Sequence, residues 1–450
     1  MKSSYVHRQS KRRFFPAASI HRERKQWGEE HWIANKEYCG KKLLLRKNRV
    51  CSMHSHREKD EVFYLQSGKV LMELGGERFV LQPGDFVHVP TNTPHRFTGL
   101  EASEIFEFST NHREDDSYRS TTSGHIEQER FDRQSKLVER FRKTKVLVVG
   151  DVMLDTYLSG SVDRISPEAP IPIVHFQKKT SFPGGAANAA RTVAALGGQP
   201  TLLGVRGDDT PGRELETLLK KDGVRVRLLV DAQRATTQKQ RIVAGNAHQI
   251  VRLDTEENTP LSAPQVRSLL RHIETLLKTH DALLLSDYAK GLFSPAVLRS
   301  CIAIARRQRK PVIVDPKPID ASYLSSVQGV TLITPNRKEA LLLSGRGNGT
   351  PETIGKILAT KLKAAVLLTL GAEGMLLIQP GKALCRLSAC AREITDVSGA
   401  GDTVAAVITM VLGLKGDLVD AVDLANRAAG VVVGKAGTAT LTPAELLEVL

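Results

Sequence analysis

Six continuous apolar runs of strand length recur between residues 146 and 370, and they constrain the fold more than any other feature of the sequence. The runs are Val146–Val149, Thr201–Val205, Ala282–Leu285, Val312–Val314, Leu332–Thr334 and Ala365–Leu370. Segments with helical spacing of Leu, Ala and Lys separate them. Because strands without polar alternation are buried on both faces, this pattern predicts a parallel α/β sheet with helices on both sides.

Polar side chains follow four of these runs. Asp151, Asp287, Asp315 and Asn336 each stand at or just after the carboxyl end of an apolar run. Ligands of open parallel sheets bind at that edge. We therefore expect these residues to lie near a binding site, in a layout typical of nucleotide-dependent enzymes.

The strongest single motif spans residues 396–403 and reads Asp-Val-Ser-Gly-Ala-Gly-Asp-Thr, directly before an apolar helical segment. Glycines allow the backbone to approach a phosphate closely, and a helix N-terminus adds unpaired N–H groups and a positive dipole end. An aspartate beside such an anion site, here Asp402, can accept a proton from an attacking hydroxyl. The alternative is a glycine-rich turn that Asp402 only caps.

Two motifs together resemble the signatures of the ribokinase-like (phosphofructokinase B) family: Gly184-Gly185-Ala186-Ala187-Asn188 and the turn Gly399–Asp402. The resemblance implies an α/β ribokinase-like fold with a β lid, and ATP with Mg²⁺ as cofactors. It also implies that Asp402 is the catalytic base and that the amides of Gly399, Ala400 and Gly401 form the anion hole.

The same resemblance assigns further residues to the two substrates. The residues implied for sugar binding are Asp151, Asp155, Gly184, Gly185 and Asn188. Those implied for the nucleotide and magnesium are Asn336, Glu339, Thr369, Gly371 and Gly374. For Asn336 and Glu339 the alternative is a local cap at a helix N-terminus.

Within this family, the segment from about Lys143 to Leu450 is similar to the heptose-7-phosphate kinases. The segments that match are Gly150–Asp155, Arg164–Pro170, Asp287–Gly291, Asp315–Lys317 and Gly430–Lys435. The resemblance implies transfer of the γ-phosphate of ATP to the anomeric hydroxyl of D-glycero-β-D-manno-heptose 7-phosphate, giving the 1,7-bisphosphate. It further implies a lid from segments near 155–180 and 230–255, and a homodimer.

Two expectations about the reaction partners accompany this resemblance. In many relatives a nucleotidyltransferase domain follows the kinase, whereas this sequence stops at Leu450, so we expect a separate protein to perform the next step of nucleotide-heptose biosynthesis. The alternative is that the kinase phosphorylates a different substrate, such as a hexose phosphate or a nucleoside.

Residues 29–112 contain short alternating runs separated by Gly and Pro turns, which predicts a small all-β barrel. His54 and His56 are two residues apart and share a strand face, so both can point at one ion. Glu61 and His95 can complete a site for zinc, manganese, iron or nickel. The pattern resembles the two cupin motifs, with Asn48 in place of the usual leading glycine. The alternative is a cupin barrel that binds no metal.

The segment around residues 25–30, with Pro94-His95-Arg96, is similar to cupin-type mannose-6-phosphate isomerases. This resemblance implies a metal-dependent aldose–ketose isomerase, and hence a bifunctional chain that makes its own kinase substrate from sedoheptulose 7-phosphate. Glu107, Lys59 and Tyr64 are candidates for the proton-transferring base. The rival interpretation is a non-catalytic, sugar-sensing cupin module.

Composition bounds the remaining segments. The net charge of +15 is concentrated partly in residues 1–28, where we expect a solvated basic tail, the alternative being a nucleic-acid-binding arm. Polar residues 113–142 predict a linker that ends in a short helix. Five scattered cysteines without a C-x-x-C pair favour a reducing cytoplasm. The longest apolar run, Val404–Leu414, is too short to span a membrane and predicts a buried helix.

Overall fold

The computed structural model describes residues 16–119, 124–125, 128–245, 248–391, 395–435 and 437–450. The chain divides into two compact units, Met1–Asp132 and Arg133–Leu450. No helix in these described ranges is long and apolar enough to cross a membrane.

The N-terminal unit is built from strands. They are β1 His21–Lys25, β2 Gly28–Asn35, β3 Tyr38–Leu45, β4 Arg49–Val50, β5 His54–Ser55, β6 Glu61–Ser67, β7 Val70–Leu74, β8 Glu77–Leu81, β9 Phe86–Val89, β10 His95–Gly99, β11 Ser103–Thr110, β12 Tyr118–Arg119 and β13 Gly124–His125. One sheet has the order β1-β2-β3-β11-β6-β9. In the other, the order is β12-β5-β10-β4-β13, and β7 pairs with β10 and β8. The predicted all-β N-terminal domain is therefore confirmed.

The inward faces of these strands follow the alternation in the sequence. Leu43, Leu45, Phe63, Leu65 and Ile105 are all buried and belong to one apolar cluster. Each lies two residues from the next buried position on its own strand, as the period-2 geometry of a strand requires. The apolar cluster therefore forms from alternate residues, and polar residues at some of the other inward positions are left to line a cavity.

Two predicted boundaries differ from the structure. The basic tail was expected to reach residue 28, but His21–Lys25 pairs with Gly28–Asn35 as a hairpin whose turn residue Trp27 is buried against Phe97, with ring centroids 5.1 Å apart. Hydrogen bonding of the backbone and one aromatic anchor thus order a segment that charge alone suggested was solvated. The first fifteen residues of the predicted tail lie outside the described residues.

The predicted linker 113–142 also contains ordered structure. Its residues Tyr118–Arg119 and Gly124–His125 add two short strands to the second sheet, which were not expected, while the short helix expected at its end is α1, Gln128–Arg140. Two-residue strands have too few side chains to show an alternating pattern, which explains why the sequence did not reveal them.

The second unit contains strands β14–β26 and helices α2–α11. The strands are β14 Lys145–Gly150, β15 Val152–Ile165, β16 Pro172–Gly185, β17 Gln199–Gly207, β18 Arg225–Asp231, β19 Thr237–Ala244, β20 His248–Thr255, β21 Ala282–Ser286, β22 Val312–Asp315, β23 Leu332–Ile333, β24 Ala365–Thr369, β25 Met375–Ile378 and β26 Cys385–Leu387. The helices are α2 Ala186–Ala195, α3 Thr210–Lys221, α4 Ala263–Leu277, α5 Pro295–Arg307, α6 Tyr323–Ser326, α7 Arg337–Ser344, α8 Pro351–Leu362, α9 Ala400–Gly413, α10 Leu418–Val433 and α11 Pro443–Glu448.

A nine-stranded sheet forms the centre of this unit, in the order β18-β17-β14-β21-β22-β23-β24-β25-β26. Its strands are parallel from β18 to β24, and the last two pair antiparallel. Val146 and Val148 pack in one apolar cluster, while Leu147 and Val149 pack in another. Both faces of the sheet are therefore buried, as the unalternating runs predicted.

A separate four-stranded sheet, in the order β16-β15-β19-β20, forms from the segments for which a lid was predicted. Helix α9 follows the glycine-rich motif and is buried over most of its length, which confirms the buried helix predicted for this run. The α/β fold class with a second sheet is thus confirmed.

Candidate active site and candidate metal centre

The glycine-rich motif forms the N-terminus of α9. Gly399 is the N-cap residue with φ of 82°, and a Cβ atom at this position would lie 2.6 Å from Asn188 Nδ2. Only glycine fits both the left-handed conformation and the space. The turn therefore places the first-turn amides of α9, which have no intrahelical acceptor, at the edge of the sheet beside Asn188.

Asp402 lies in the first turn of α9 and is buried, with 4% of its surface exposed. Its two carboxylate oxygens accept different hydrogen bonds: Tyr288 Oη donates to Oδ1 at 2.6 Å, and Asn188 Nδ2 donates to Oδ2 at 2.8 Å. Burial raises the pKa of Asp402 to about 6, although both hydrogen bonds act in the opposite direction. A carboxylate with this pKa is ionised at neutral pH and still able to accept a proton.

Three residues predicted to bind sugar lie together beside Asp402. Asp155 accepts a 2.6 Å hydrogen bond from Arg241, and a Cβ atom at Gly184 would lie only 2.2 Å from Asp155 Oδ2. Asn188 is fully buried, and its Oδ1 atom has no hydrogen-bond partner among the described residues. A buried acceptor without a partner is costly unless a ligand supplies the donor.

Asp151 was also predicted to bind sugar, but its carboxylate binds the backbone of a neighbouring loop. Its carboxylate accepts backbone N–H groups from Tyr288 at 2.9 Å, Lys290 at 3.1 Å and Leu292 at 3.2 Å. Gly185 lies close by, because a Cβ atom there would be 2.7 Å from the Asp151 carbonyl oxygen. These contacts make Asp151 the residue that orders the loop after β21, and this loop holds Tyr288 against Asp402.

Acidic side chains are crowded at the carboxyl ends of β21, β22 and β23. Burial, then the charge of Asp151, raises the pKa of Asp287 to about 7, and burial with the charges of Asp402 and Glu339 raises the pKa of Asp315 to about 8. Such crowding of carboxylates suits a bound cation. Asp315 was noted in the sequence only for its place after a strand, and its role in this cluster was missed because acidic clustering is visible only in the fold.

The residues predicted for the nucleotide and magnesium form two local structures. Asn336 and Glu339 cap α7 reciprocally, and Glu339 also accepts a 3.0 Å contact from Lys317. The local-cap alternative is therefore present in the structure, next to Asp315. Thr369 ends β24 and bridges Asn336, and the turn that follows has positive φ at Gly371 and Gly374. At Gly374 a Cβ atom would lie 2.0 Å from the Leu387 carbonyl oxygen.

In the N-terminal unit, His54, His56 and His95 bring one ring nitrogen each within 4.8 Å of the others. Every Nδ1 atom faces a backbone carbonyl: Ser52 at 2.8 Å, Asp116 at 2.7 Å and Thr93 at 3.0 Å, respectively. Because a carbonyl only accepts, Nδ1 carries the proton in each ring and Nε2 is left as a lone-pair donor. Burial lowers the pKa of His54 to about 3 and also lowers the pKa of His56, so both stay neutral.

Glu61 completes this cluster. Its Oε2 atom lies 3.1 Å from His95 Nε2 and 3.8 Å from His56 Nε2, and neither Oε2 nor His95 Nε2 has a hydrogen-bond partner among the described residues. Two buried acceptors that face each other at this distance need a positive charge between them, which a bound metal ion or a proton on His95 would supply. Three imidazoles and one carboxylate suit zinc, manganese, iron or nickel. The four residues predicted as ligands thus fit a divalent transition metal.

A cavity of about 780 Å³ is lined by three of these four residues, His54, His56 and Glu61, whereas His95 is fully buried behind them. Lys59 and Glu107, two of the three candidate bases, also line it and are joined by a 2.6 Å ion pair. Tyr64 is not among the lining residues. Of the three candidate bases, Lys59 and Glu107 therefore line the cavity, and Lys59 also pairs with Glu61.

Comparisons with known proteins agree with this geometry. The model of the pfkB family of carbohydrate kinases matches residues 143–445, which is more than half of the chain. The chain belongs to this family. A cupin domain model matches residues 43–108. The N-terminal unit is thus a cupin domain, and it precedes the pfkB-family kinase domain in the sequence.

Two relatives show the extent of the similarity. The chain is 46% identical over 322 residues to the bifunctional protein HldE of Caulobacter sp. strain K31, and it covers 64% of that protein's length. It is 42% identical over 311 residues to the D-beta-D-heptose 7-phosphate kinase of Bordetella bronchiseptica and covers 96% of that enzyme.

Solved structures show the same kinase fold at lower identity. Phosphofructokinase-2 of Escherichia coli, in complex with substrates and products, superposes with a TM-score of 0.58 at 21% identity, covering 68% of this chain and 97% of that one. The ribokinase of Arabidopsis thaliana with ribose and ATP gives a TM-score of 0.54 at 21% identity, covering 68% and 98%, respectively.

Proposed function

We propose that this protein transfers the γ-phosphate of ATP to the anomeric hydroxyl of D-glycero-D-manno-heptose 7-phosphate, giving heptose 1,7-bisphosphate. The observation that carries the proposal is the buried Asp402 carboxylate at the N-terminus of α9, held by Tyr288 and Asn188. The high identity to a named heptose 7-phosphate kinase over nearly its whole length supports the choice of sugar.

In the proposed reaction, Asp402 accepts the proton of the anomeric hydroxyl as its oxygen forms a bond to the γ-phosphorus. The bond from this phosphorus to the bridging oxygen breaks, and ADP leaves with that electron pair. The amides of Gly399, Ala400 and Gly401, with the dipole of α9, stabilise the negative charge of the transferring group. Positioning and charge stabilisation of this kind account for most of the catalysis of phosphoryl transfer.

On the sugar side, Asp155 and the unpaired Asn188 Oδ1 would accept hydroxyl hydrogens, while Gly184 and Gly185 leave room for the ring. Asp151 acts indirectly, by ordering the loop that carries Tyr288. On the nucleotide side, Thr369, Gly371 and Gly374 would border ATP. Magnesium, when bound, neutralises phosphate charge, and Asn336, Glu339 and the Asp315 carboxylate would hold it directly or through water.

The substrate is tested by comparing kcat/KM for D-glycero-D-manno-heptose 7-phosphate with that for fructose 6-phosphate, each with saturating ATP and magnesium. We expect a preference of about tenfold or more for the heptose, since its extra carbon sets the distance between the reacting anomeric hydroxyl and the 7-phosphate at the other end of the sugar. Equal values, or a preference for fructose 6-phosphate, would support the alternative that the chain phosphorylates another sugar.

For the cupin domain we propose a second function, a metal-dependent aldose–ketose isomerase that converts sedoheptulose 7-phosphate into the kinase substrate. The specific observation in its favour is the cluster of His54, His56, His95 and Glu61, three of which line a cavity of about 780 Å³. A divalent metal held there would polarise the sugar oxygens. The chain's own residues would then supply the proton transfer between carbons 1 and 2, with Glu107 and Lys59 as the candidate side chains in the cavity lining.

This second function is tested in the full-length Asp402→Asn protein, in which the kinase step is disabled. Metal-loaded protein should interconvert sedoheptulose 7-phosphate and the aldose phosphate, followed by ¹³C NMR, and protein treated with a chelator should not. Binding without interconversion in the metal-loaded protein would instead favour a non-catalytic sugar-sensing module.

We further propose that the protein is a homodimer formed through the four-stranded sheet. Several large apolar side chains on this sheet are exposed, including Ile165, Phe176, Val251 and Leu253. Exposed apolar patches of this kind mark interaction surfaces. As domain limits, we propose a cupin domain that starts at the β1 hairpin and a kinase domain that starts near residue 143.

A further inference from the structure

The charge of the cupin cavity favours an anionic ligand. Five basic side chains line it against three carboxylates. The basic residues are Arg24, Lys25, Lys41, Lys59 and Arg119, and the acidic residues are Glu30, Glu61 and Glu107. A bound divalent metal would add further positive charge, so both the metal and the basic side chains would attract an anion into the cavity.

Most of these cations already have a carboxylate nearby. Lys59 lies 2.6 Å from Glu107, Lys41 lies 3.6 Å from Glu30, and Lys25 lies 2.6 Å from Glu23. Arg24 stands directly opposite Glu29 on the neighbouring strand. The positive charge of the three lysines is therefore largely compensated within the protein, whereas Arg24 faces Glu29 only in the strand register, and Glu29 itself lies 3.2 Å from His31.

Arg119 differs from them. It lies on β12 directly opposite His54, and His54 in turn lies directly opposite His95. Residues directly opposite on antiparallel strands point to the same face, so Arg119 shares its face with two of the candidate metal ligands. Arg119 is exposed, and no carboxylate in the described part of the chain forms an ion pair with it. Its guanidinium is therefore available to a ligand of the cavity.

We propose that Arg119 anchors the phosphate of a phosphorylated sugar bound in the cupin cavity. This inference rests on the proposed isomerase function, whose substrate carries its phosphate at the end of the chain remote from the reacting carbons. A long side chain that starts beside the metal cluster and ends in solvent can hold that remote group while carbons 1 and 2 lie at the metal. The guanidinium fork matches the oxygens of a phosphate in a bidentate manner that an ammonium group does not.

The sequence offers a selective probe of this cavity. The chain has two tryptophans, Trp27 and Trp32, and both lie in the cupin unit, Trp27 in the cavity lining. Tryptophan emission of the full-length, metal-loaded protein therefore reports binding in the cupin cavity, even though the kinase domain also binds phosphates. Sedoheptulose 7-phosphate and unphosphorylated sedoheptulose are the two ligands to titrate, and inorganic phosphate is the competitor.

In the wild-type protein we expect sedoheptulose 7-phosphate to bind more tightly than sedoheptulose, with inorganic phosphate competing. Arg119→Ala should weaken binding of the phosphorylated sugar about ten- to a hundredfold and leave sedoheptulose unchanged, since only the charged hydrogen bonds are lost. The affinity of Arg119→Lys for sedoheptulose 7-phosphate should lie between those of the wild-type protein and Arg119→Ala. Arg57→Ala is the matched control, because the exposed Arg57 guanidinium stacks on Tyr118 at 4.4 Å and does not line the cavity.

Equal weakening of both sugars by Arg119→Ala, no weakening of either, or wild-type binding that does not depend on the phosphate would overturn the proposal. The outcome is separable from that of the isomerase function. Phosphate-dependent binding through Arg119 without interconversion would uphold the anchor and reject the isomerase. Interconversion with unchanged affinity in Arg119→Ala would uphold the isomerase and reject the anchor.

Discussion

Replacing Asp402 with asparagine should make the kinase domain more stable while nearly abolishing its activity. In the folded protein, burial raises the pKa of Asp402 to about 6, whereas an unfolded aspartate titrates near about 4. At about pH 7.5 the group is ionised in both states, and a shift of about two pKa units corresponds to about 3 kcal/mol of destabilisation of the fold. A neutral side chain of the same shape removes this cost.

The gain is partly offset. Asparagine at position 402 can still accept the hydrogen bond from Tyr288, but its amide nitrogen would face the Nδ2 donor of Asn188, which costs about 1 kcal/mol. The net stabilisation should be about 1–3 kcal/mol at about pH 7.5. Because the folded pKa is raised, the penalty is absent below about pH 4 and complete above about pH 6. At about pH 5 the penalty is roughly halved, so the stability difference between variant and wild type should be smaller by about 1.4 kcal/mol than at about pH 7.5.

The assay combines thermal unfolding of both proteins at these two pH values with steady-state kinetics. We expect a higher melting temperature for Asp402→Asn, and a kcat about 10²–10⁴ times lower because the general base is missing. A lower melting temperature would contradict the claim that burial of the ionised Asp402 carboxylate destabilises the folded protein. A kcat within twofold of wild type would exclude Asp402 as the base.

Four further results are expected. The kcat/KM of the wild-type kinase should fall as the pH drops through about 6, because the base must be ionised. Tyr288→Phe removes a hydrogen-bond donor to that carboxylate and should therefore raise its pKa. The fall of kcat/KM at low pH should then occur about one pH unit higher, and an unchanged pH profile would refute the contact. His56→Ala should weaken Co²⁺ binding, read from tryptophan quenching, by at least about a hundredfold, whereas the exposed His88→Ala should not. Ile165→Glu should convert dimers to monomers in light scattering, whereas Ile319→Glu, also exposed but outside the four-stranded sheet, should leave them intact.

The kinase fold could be predicted from the sequence because its signals are local. An unalternating run such as Val146–Val149 shows burial on both faces, and Gly399 before Asp402 occupies a turn position that favours glycine. In the same way, the period-2 spacing of His54 and His56 placed both on one face before any fold was known.

What the sequence did not reveal depends on contacts between distant residues. Asp151 stands after a strand like a ligand, yet its oxygens hold the loop at Tyr288, 137 residues away. Arg119 lies in a polar stretch without a pattern and reaches the cavity only because β12 pairs with β5. The hairpin of β1 and β2 was not predicted because its basic residues suggested a solvated tail. Its one buried anchor, Trp27, does not by itself produce an alternating pattern in the sequence.

The most direct test of the central proposal is a ³¹P NMR time course of the full-length protein with ATP, magnesium and D-glycero-D-manno-heptose 7-phosphate. We predict that a second, anomeric phosphate resonance grows in step with ADP, while the 7-phosphate resonance persists. Starting from sedoheptulose 7-phosphate with a divalent transition metal, the same product should appear after a lag. ADP formation without an anomeric phosphate, or no turnover of the aldose phosphate, would contradict the heptose kinase assignment.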